Sequence, residues 1–384
     1  MSFGLYFHIP FCLQKCHYCD FATLPVTDQN KMSDYTRLLL LELRTRHAAF
    51  LDLGPVHSIY FGGGTPSLLP AEDILTLVQA VNNLGFQILP DAEITIEINP
   101  GTIDQKKLDL YRAAGVNRYS VGVQTFHDDL LKRSGREHTA QSSRETLTLL
   151  KDNQMNYSFD LLFGQSGQTL SHLRTDLEEL LYFQPPHVSA YLMTLPENHF
   201  LNAGRAPDDE QVEMFNFIRK TLESSGWAHY EISNYCRPNS HSRHNSGYWN
   251  DQPYWGVGLS AHSYRPDWGD YGTRFWNSKN LTRYTEECSR PMPPEKNVEV
   301  LKRHEALTDF LHTQLRKKSG LETLALRSKF KDEWPLAEKR LERLVATGWL
   351  ESSGTHYCLR EEKKVLANHV FFELTFLPEE LTLK

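Results

Sequence analysis

The chain of 384 residues has no apolar run near the roughly 20 residues that cross a bilayer, so no membrane-spanning helix is expected. It has no excess of positive charge either. Lys and Arg number 41 against 48 Asp and Glu, a net charge of −7, which argues against a protein that binds nucleic acid through a basic face. No basic segment followed by an apolar stretch opens the sequence. "MSFGLYFHIPF" reads as a strand, so no signal peptide is expected and a reducing, cytoplasmic setting follows. Low-complexity tracts are lacking, and so are internal repeats beyond an alternation of strands and helices. Cysteine is scarce, with six in all, and in a reducing compartment such thiols serve metals or redox chemistry before they serve disulfides.

Three of those six lie within "FHIPFCLQKCHYCDFA", residues 7–22, as Cys12, Cys16 and Cys19; Cys236, Cys288 and Cys358 are isolated. A disulfide inside the cluster would close a very short loop and leave one thiol over. Structural zinc needs four protein ligands, commonly from paired CxxC knuckles. No second knuckle exists, so His8 or His17 would have to complete such a site. A cubane 4Fe-4S cluster answers the pattern differently, because three thiolates bind three irons and leave the fourth open to another ligand. CxxxCxxC with an aromatic, Tyr18, before the third Cys resembles the signature of the radical SAM superfamily. In that superfamily the amino and carboxylate groups of S-adenosylmethionine chelate the open iron.

Behind the cysteines, strand and helix patterns alternate. Strands are expected at 5–9, 57–63, 93–100, 118–123, 157–164 and 187–193. Helices are expected at 33–50, 71–84, 104–114, up to about 152, 169–182 and 208–225. This beat demands a parallel sheet with right-handed crossovers, and its six units are too few for a closed eight-stranded barrel. The expectation is an α/β fold, an open (β/α)6 partial barrel over residues 1–227, with its site at the C-terminal strand ends. Chemistry-bearing residues do fall at those ends. They are the cysteine loop, "GGGTP" (62–66), Glu97 with Asn99, Gln124 followed by Arg136, and Asp160. Consecutive glycines let backbone approach a ligand closely, and a carboxylate within "FDLLF" needs a partner.

The resemblance narrows on "YFHIPFC", "YFGGGTPS", "EINP", "GVQTF", "GREH", "DLLFG" and "HNSGYWN". Together these look like the oxygen-independent coproporphyrinogen oxidase family, and specifically its HemW-type haem chaperone branch, over nearly the whole chain. By that resemblance Tyr6, Gly63, Gly64, Thr65, Glu97, Gln124, Arg136 and Asp160 fall on S-adenosylmethionine positions, with Met193 a looser carry-over. Glu97 or Asp160 can accept from ribose hydroxyls, Gln124 can donate and accept, and Arg136 can pair with a carboxylate. The exposed backbone of Gly63, Gly64 and Thr65 would meet the amino group and methionine part. Two departures separate the chain from the decarboxylases of the family. Phe21 stands where they carry a further Cys, and the N-terminal arm before their first strand is missing. The resemblance therefore implies a cluster- and S-adenosylmethionine-binding protein that holds haem and passes it to acceptor haemoproteins, membrane-associated haem enzymes among them. The rival is radical decarboxylation of coproporphyrinogen III, and a zinc-stabilised interaction protein is a third reading.

Residues 228–295 are rich in Asn, Ser, Gly, His and aromatics, a composition expected of a structured loop surface. "HNSGYW", His244 to Trp249, is similar to the HNxxYW haem motif of the chaperone branch. His244 is the expected axial ligand, with Tyr248, Trp249 and Trp255 as walls and His241, His262 and Cys236 as competing ligands. "RPMPPEKN" reads as a linker. Residues 296–384 then read as a smaller helical unit with a short hairpin, winged-helix-like. Its 16 Lys and Arg against 14 Asp and Glu are too balanced for a nucleic-acid partner, so a lid or docking domain covering the barrel mouth is expected.

The cysteine loop generates a direct test. Anaerobic analysis of iron and labile sulfide is expected to give about four of each per chain. Stoichiometric zinc without sulfide would contradict the cluster.

Overall fold

The period of two in a β-strand decides this architecture. In the computed structural model, which describes residues 2–26 and 29–381, strand β1 (Phe3–Ile9) sends Phe3, Leu5, Phe7 and Ile9 into the main hydrophobic core. The alternate residues Gly4, Tyr6 and His8 point the other way, into the concave side of the sheet. Strands β2 (Val56–Gly63), β3 (Ile88–Ile98), β4 (Arg118–Gln124), β5 (Tyr157–Phe163) and β6 (His187–Leu192) repeat the split. Ile59, Phe61, Ile96, Val121, Phe159 and Val188 join the core. Ser58, Tyr60, Glu97, Ser120, Asp160 and Ser189 occupy the intervening positions.

These six strands run parallel and neighbour one another in chain order. The crossovers are helical: α1 (Gln29–Arg46), α2 (Ala71–Asn83), α3 (Gln105–Ala113), the pair α4 (Asp128–Arg133) and α5 (Ala140–Asp152), and α6 (Leu170–Phe183), with α7 (Asp208–Ser224) following β6. Asp104, Thr139 and Thr169 cap α3, α5 and α6 by accepting from backbone N–H groups of the first turn. The partial (β/α)6 barrel is therefore present, built as the alternation requires.

The sheet does not end where the beat ends. Residues 228–300 supply β7 (Ala228–Glu231), β8 (Asn234–Cys236), β9 (Tyr254–Val257), β10 (His262–Arg265), β11 (Thr273–Trp276) and β12 (Val298–Val300), making one sheet of twelve strands. Strand β9 pairs in parallel with β1, and β10 to β12 continue that edge antiparallel, while β8 and β7 extend the opposite edge. The expected loop surface is thus corrected. Trp255 is fully buried and stacks on Phe50 at 4.3 Å, so it belongs to the core and walls no haem cavity. Composition misled because the Gly, Asn and Ser residues serve tight turns, such as Asn239, Gly258 and Ser260 at positive φ. Gly256 lies inside β9, where an added Cβ would sit 2.1 Å from the carbonyl oxygen of His262.

A second core runs from Tyr264 to Phe376 around helix α9 (Arg303–Arg316) and the helix Trp334–Ala346, with a small sheet whose hairpin is Leu350–Ser352 and His356–Leu359. This C-terminal unit docks on helix α8 (Arg243–Trp249): Gln314 Nε2 donates to the Trp249 carbonyl at 2.8 Å, and the Arg316 guanidinium lies over the Trp249 ring. Among the described residues, no helix is long and apolar enough to cross a membrane.

Replacing Trp255 by Ala is expected to destabilise the fold by about 3–5 kcal/mol in denaturant titration, as core tryptophans do. A loss within about 0.5 kcal/mol would place it on a surface instead.

Candidate cofactor cavity at the barrel mouth

At the C-terminal ends of the parallel strands lies a cavity of about 580 Å³. Cys12, Cys16, Cys19, Tyr18, Gly63, Gly64, Thr65, Glu97, Gln124, Arg136, Asp160 and Met193 all line it, although they are scattered along the chain from residue 12 to 193. The cysteine loop is held by backbone bonds from Cys19 N to the Cys16 carbonyl (3.2 Å), from His17 N to Ser134 (3.0 Å) and from Val26 N to Cys12 (3.0 Å). Thr65 Oγ1 approaches the Cys12 sulfur at 3.8 Å and Arg136 Nη1 the Cys16 sulfur at 3.6 Å.

A single zinc would need a fourth ligand beside the three thiols. His8 is buried, with Nε2 bonded to the Ala22 carbonyl and Nδ1 to the Tyr6 hydroxyl, and His17 Nδ1 is bonded to the Arg133 carbonyl. Thiolates on one tetrahedral zinc sit about 3.8 Å apart, as Zn–S bonds of about 2.3 Å require. Among the described residues, the ligand atoms gathered within 4.8 Å of one another belong to Glu223, His229 and Glu361, not to the cysteines. Three more widely spaced thiols suit the larger frame of a cubane. Burial pushes the Cys12 thiol up to about 11, so ionisation there needs a cationic group such as iron.

The glycine loop packs directly against the cysteine loop. Gly64 N donates to the Ile9 carbonyl and Thr65 N to the Phe11 carbonyl, both at 2.8 Å, and a Cβ on Gly64 would meet the Pro10 carbonyl carbon at 2.7 Å. Gly63 N donates to Glu97 Oε2 at 3.0 Å. The amides of Gly63, Gly64 and Thr65 are thus committed within the protein. The Thr65 carbonyl accepts from Leu68 N at 3.0 Å.

Glu97 also accepts from the Tyr60 hydroxyl at 2.8 Å. Burial pushes its carboxyl up to about 7 against the pull of these two hydrogen bonds, and Asp160 adds to the rise. Asp160 is held by the hydroxyls of Ser120 and Ser158, each at 2.8 Å, and burial raises it too. Arg136 donates to the Gly122 carbonyl at 2.7 Å and to Asn99 Oδ1. Gln124 has a φ of 65°, a left-handed backbone that a non-glycine residue adopts only under constraint, where β4 slips register against β5. Met193, Leu162 and Leu201, with Tyr18, form an apolar corner. Tyr60, Ser120 and Tyr191 line the same cavity and were missed by the motifs. Strand parity with Glu97 and Asp160 was the signal that could have found them.

Tyr6 and the HNxxYW segment lie elsewhere. Helix α8 fills the inside of the barrel towards the N-terminal strand ends, where the Glu93 carboxylate accepts from His244 N at 2.9 Å and Arg243 N at 3.0 Å. The His244 ring is bonded on Nδ1 to Ser58 Oγ and on Nε2 to the Tyr248 hydroxyl, both at 2.9 Å, and burial drives its pKa down to about 3. His244 is 3% exposed, and both its ring nitrogens are hydrogen-bonded within the protein. Room for the ring comes from Gly4, whose Cβ would sit 3.4 Å from it. His244 is also not remote from the cofactor cavity, because its ring stacks at 5.0 Å on Tyr60, the residue that donates to Glu97. Tyr6, Tyr248 and Trp249 line a second cavity of about 620 Å³.

Comparison with known proteins places this geometry. The Radical SAM superfamily description matches residues 6–180. The chain is 32% identical over 379 residues to "Heme chaperone HemW" of Lactococcus lactis, covering 95% of each chain. It is 31% identical over 375 residues to the protein of that name from Bacillus subtilis, covering 95% of this chain and 97% of the relative. Among solved structures, coproporphyrinogen III oxidase (HemN) from Escherichia coli, titled a Radical SAM enzyme, superposes with a TM-score of 0.82 at 22% identity. That match covers 97% of this chain and 90% of the other and establishes likeness of fold.

The Glu97 carboxyl holds its proton up to about pH 7 in the fold but loses it near 4.3 when unfolded. Between those values the native state binds more protons, so stability falls as pH rises through this window and levels off above it. Urea titrations of metal-free protein at pH 5 to 8 should show this decline, on the order of 2 kcal/mol, and Glu97→Gln should flatten it. An unchanged slope in the variant would assign the effect to another group.

Proposed function

The chain belongs to the HemW haem chaperone family of the radical SAM superfamily, and on that footing we propose that it binds haem and passes it to acceptor haemoproteins. In this reading Cys12, Cys16 and Cys19 hold a 4Fe-4S cluster and the adjoining cavity holds S-adenosylmethionine. The supporting observation is the convergence of the thiol loop with a polar barrel lumen in one space of about 580 Å³.

The residues divide the work by chemistry. The carbonyls of the glycine loop accept from the amino group, and Arg136 with Asn99 receives the carboxylate. Glu97 and Asp160 accept from ribose hydroxyls, Gln124 both donates and accepts, and the Met193 corner beside Tyr18 covers apolar surface. When bound, the cluster and the sulfonium cofactor supply one-electron chemistry. The protein's part is to hold them side by side and keep water away. The proposed setting is the cytoplasm, and the acceptors include membrane-associated haem enzymes.

Oxidative decarboxylation of coproporphyrinogen III is the second reading, and the shared fold favours it. Against it stands Phe21, which occupies the position of the decarboxylases' additional Cys and is 64% exposed at the rim of the cavity.

Anaerobically reconstituted protein charged with haem is expected to transfer it to an apo-haemoprotein, seen as the acceptor's absorbance growing at the donor's expense. Sustained conversion of coproporphyrinogen III to protoporphyrinogen IX by the same preparation would put the enzyme reading first.

A further inference from the structure

The second cavity, about 620 Å³, opens between the barrel and the C-terminal unit. Its walls are aromatic, from Tyr6, Phe21, Tyr248, Trp249 and Tyr254. Two cations line it: Arg274, which pairs with Asp309, and Lys329, which pairs with Asp251. Asp20 completes the charged groups on the lining. The cleft thus combines flat apolar faces, which suit a planar macrocycle, with exchangeable cations, which suit its carboxylates.

Two imidazoles reach this space. His8 is closed, both nitrogens being bonded within the protein. His262, at the start of β10, is exposed and packs its ring on Trp276 at 5.6 Å; among the described residues neither of its ring nitrogens takes part in a hydrogen bond. Desolvation and the nearby Arg274 lower its pKa, which keeps the ring in the neutral, ligating form.

We propose that haem sits in this cleft with His262 as an axial ligand, an assignment that rests on the haem-binding reading above. The imidazole lone pair bonds the iron, and no electron transfer or bond cleavage is involved. The macrocycle lies against the aromatic walls, and Arg274 and Lys329 exchange Asp309 and Asp251 for the propionates. Asp20 and Phe21 line both this cleft and the cofactor cavity, so the bound haem and the cluster loop share a wall.

The test is a haem titration of the anaerobically reconstituted protein, following Soret position and affinity. Wild type should bind with a histidine-ligated spectrum. His262→Gly should bind at least tenfold more weakly with a shifted Soret band, and added imidazole should restore the wild-type spectrum. Its iron and sulfide content should stay normal, which separates ligand loss from misfolding. Tyr248→Phe, which removes the hydroxyl from His244 Nε2 and keeps the aromatic wall, tests the rival ligand. A wild-type spectrum and affinity in His262→Gly would overturn the assignment, as would loss without imidazole rescue. A spectral change with tighter binding in Tyr248→Phe would move the ligand to His244. If wild type itself bound no haem, the haem reading would fall before the question of its ligand arose.

Discussion

Side chains on a parallel strand must alternate between two faces, and this protein is built around that constraint. One face of each barrel strand is claimed by helices and is apolar without interruption: Phe3, Leu5, Phe7 and Ile9 on the first strand, Phe159 and Leu161 on the fifth. The other face borders a lumen that the open sheet cannot fill with its own side chains. Polar residues there find partners in each other, and the space left at the C-terminal end becomes the cofactor cavity.

That lumen is layered. At its base Glu93 anchors helix α8 and His244 bridges Ser58 to Tyr248; above it Tyr60 links the His244 ring to Glu97; at the mouth Glu97 ties the glycine loop, and that loop carries the cysteine loop. The same burial that makes these bonds strong shifts the groups that form them. It lifts Glu97 towards neutrality in acid and strips His244 of its charge. A polar column of this kind joins the cofactor site to the HNxxYW helix through packed rings and hydrogen bonds.

The C-terminal unit makes a second space without closing the first. By resting α9 on α8 it forms a cleft whose floor is the barrel's first strand and whose side is the segment after Cys19. Phe21, exposed on that segment, faces both spaces. Its place in the fold marks the partition between two cavities.

Much was legible in the residues alone. The spacing of Cys12, Cys16 and Cys19, the six strand-helix units and the run of polar residues at strand ends are local patterns, and local patterns survive in a linear string. The strand ends at Glu97, Gln124 and Asp160 could be gathered on paper because a parallel sheet puts all such ends on one side. Tertiary structure alone decided the rest. That Tyr254–Val257 pairs with Phe3–Ile9 depends on a contact across some 250 residues, which no window of sequence contains. That His244 is occupied and His262 open depends on which face each element turns to the barrel. Motif and composition carry chemical type, whereas access to a ligand is a property of packing.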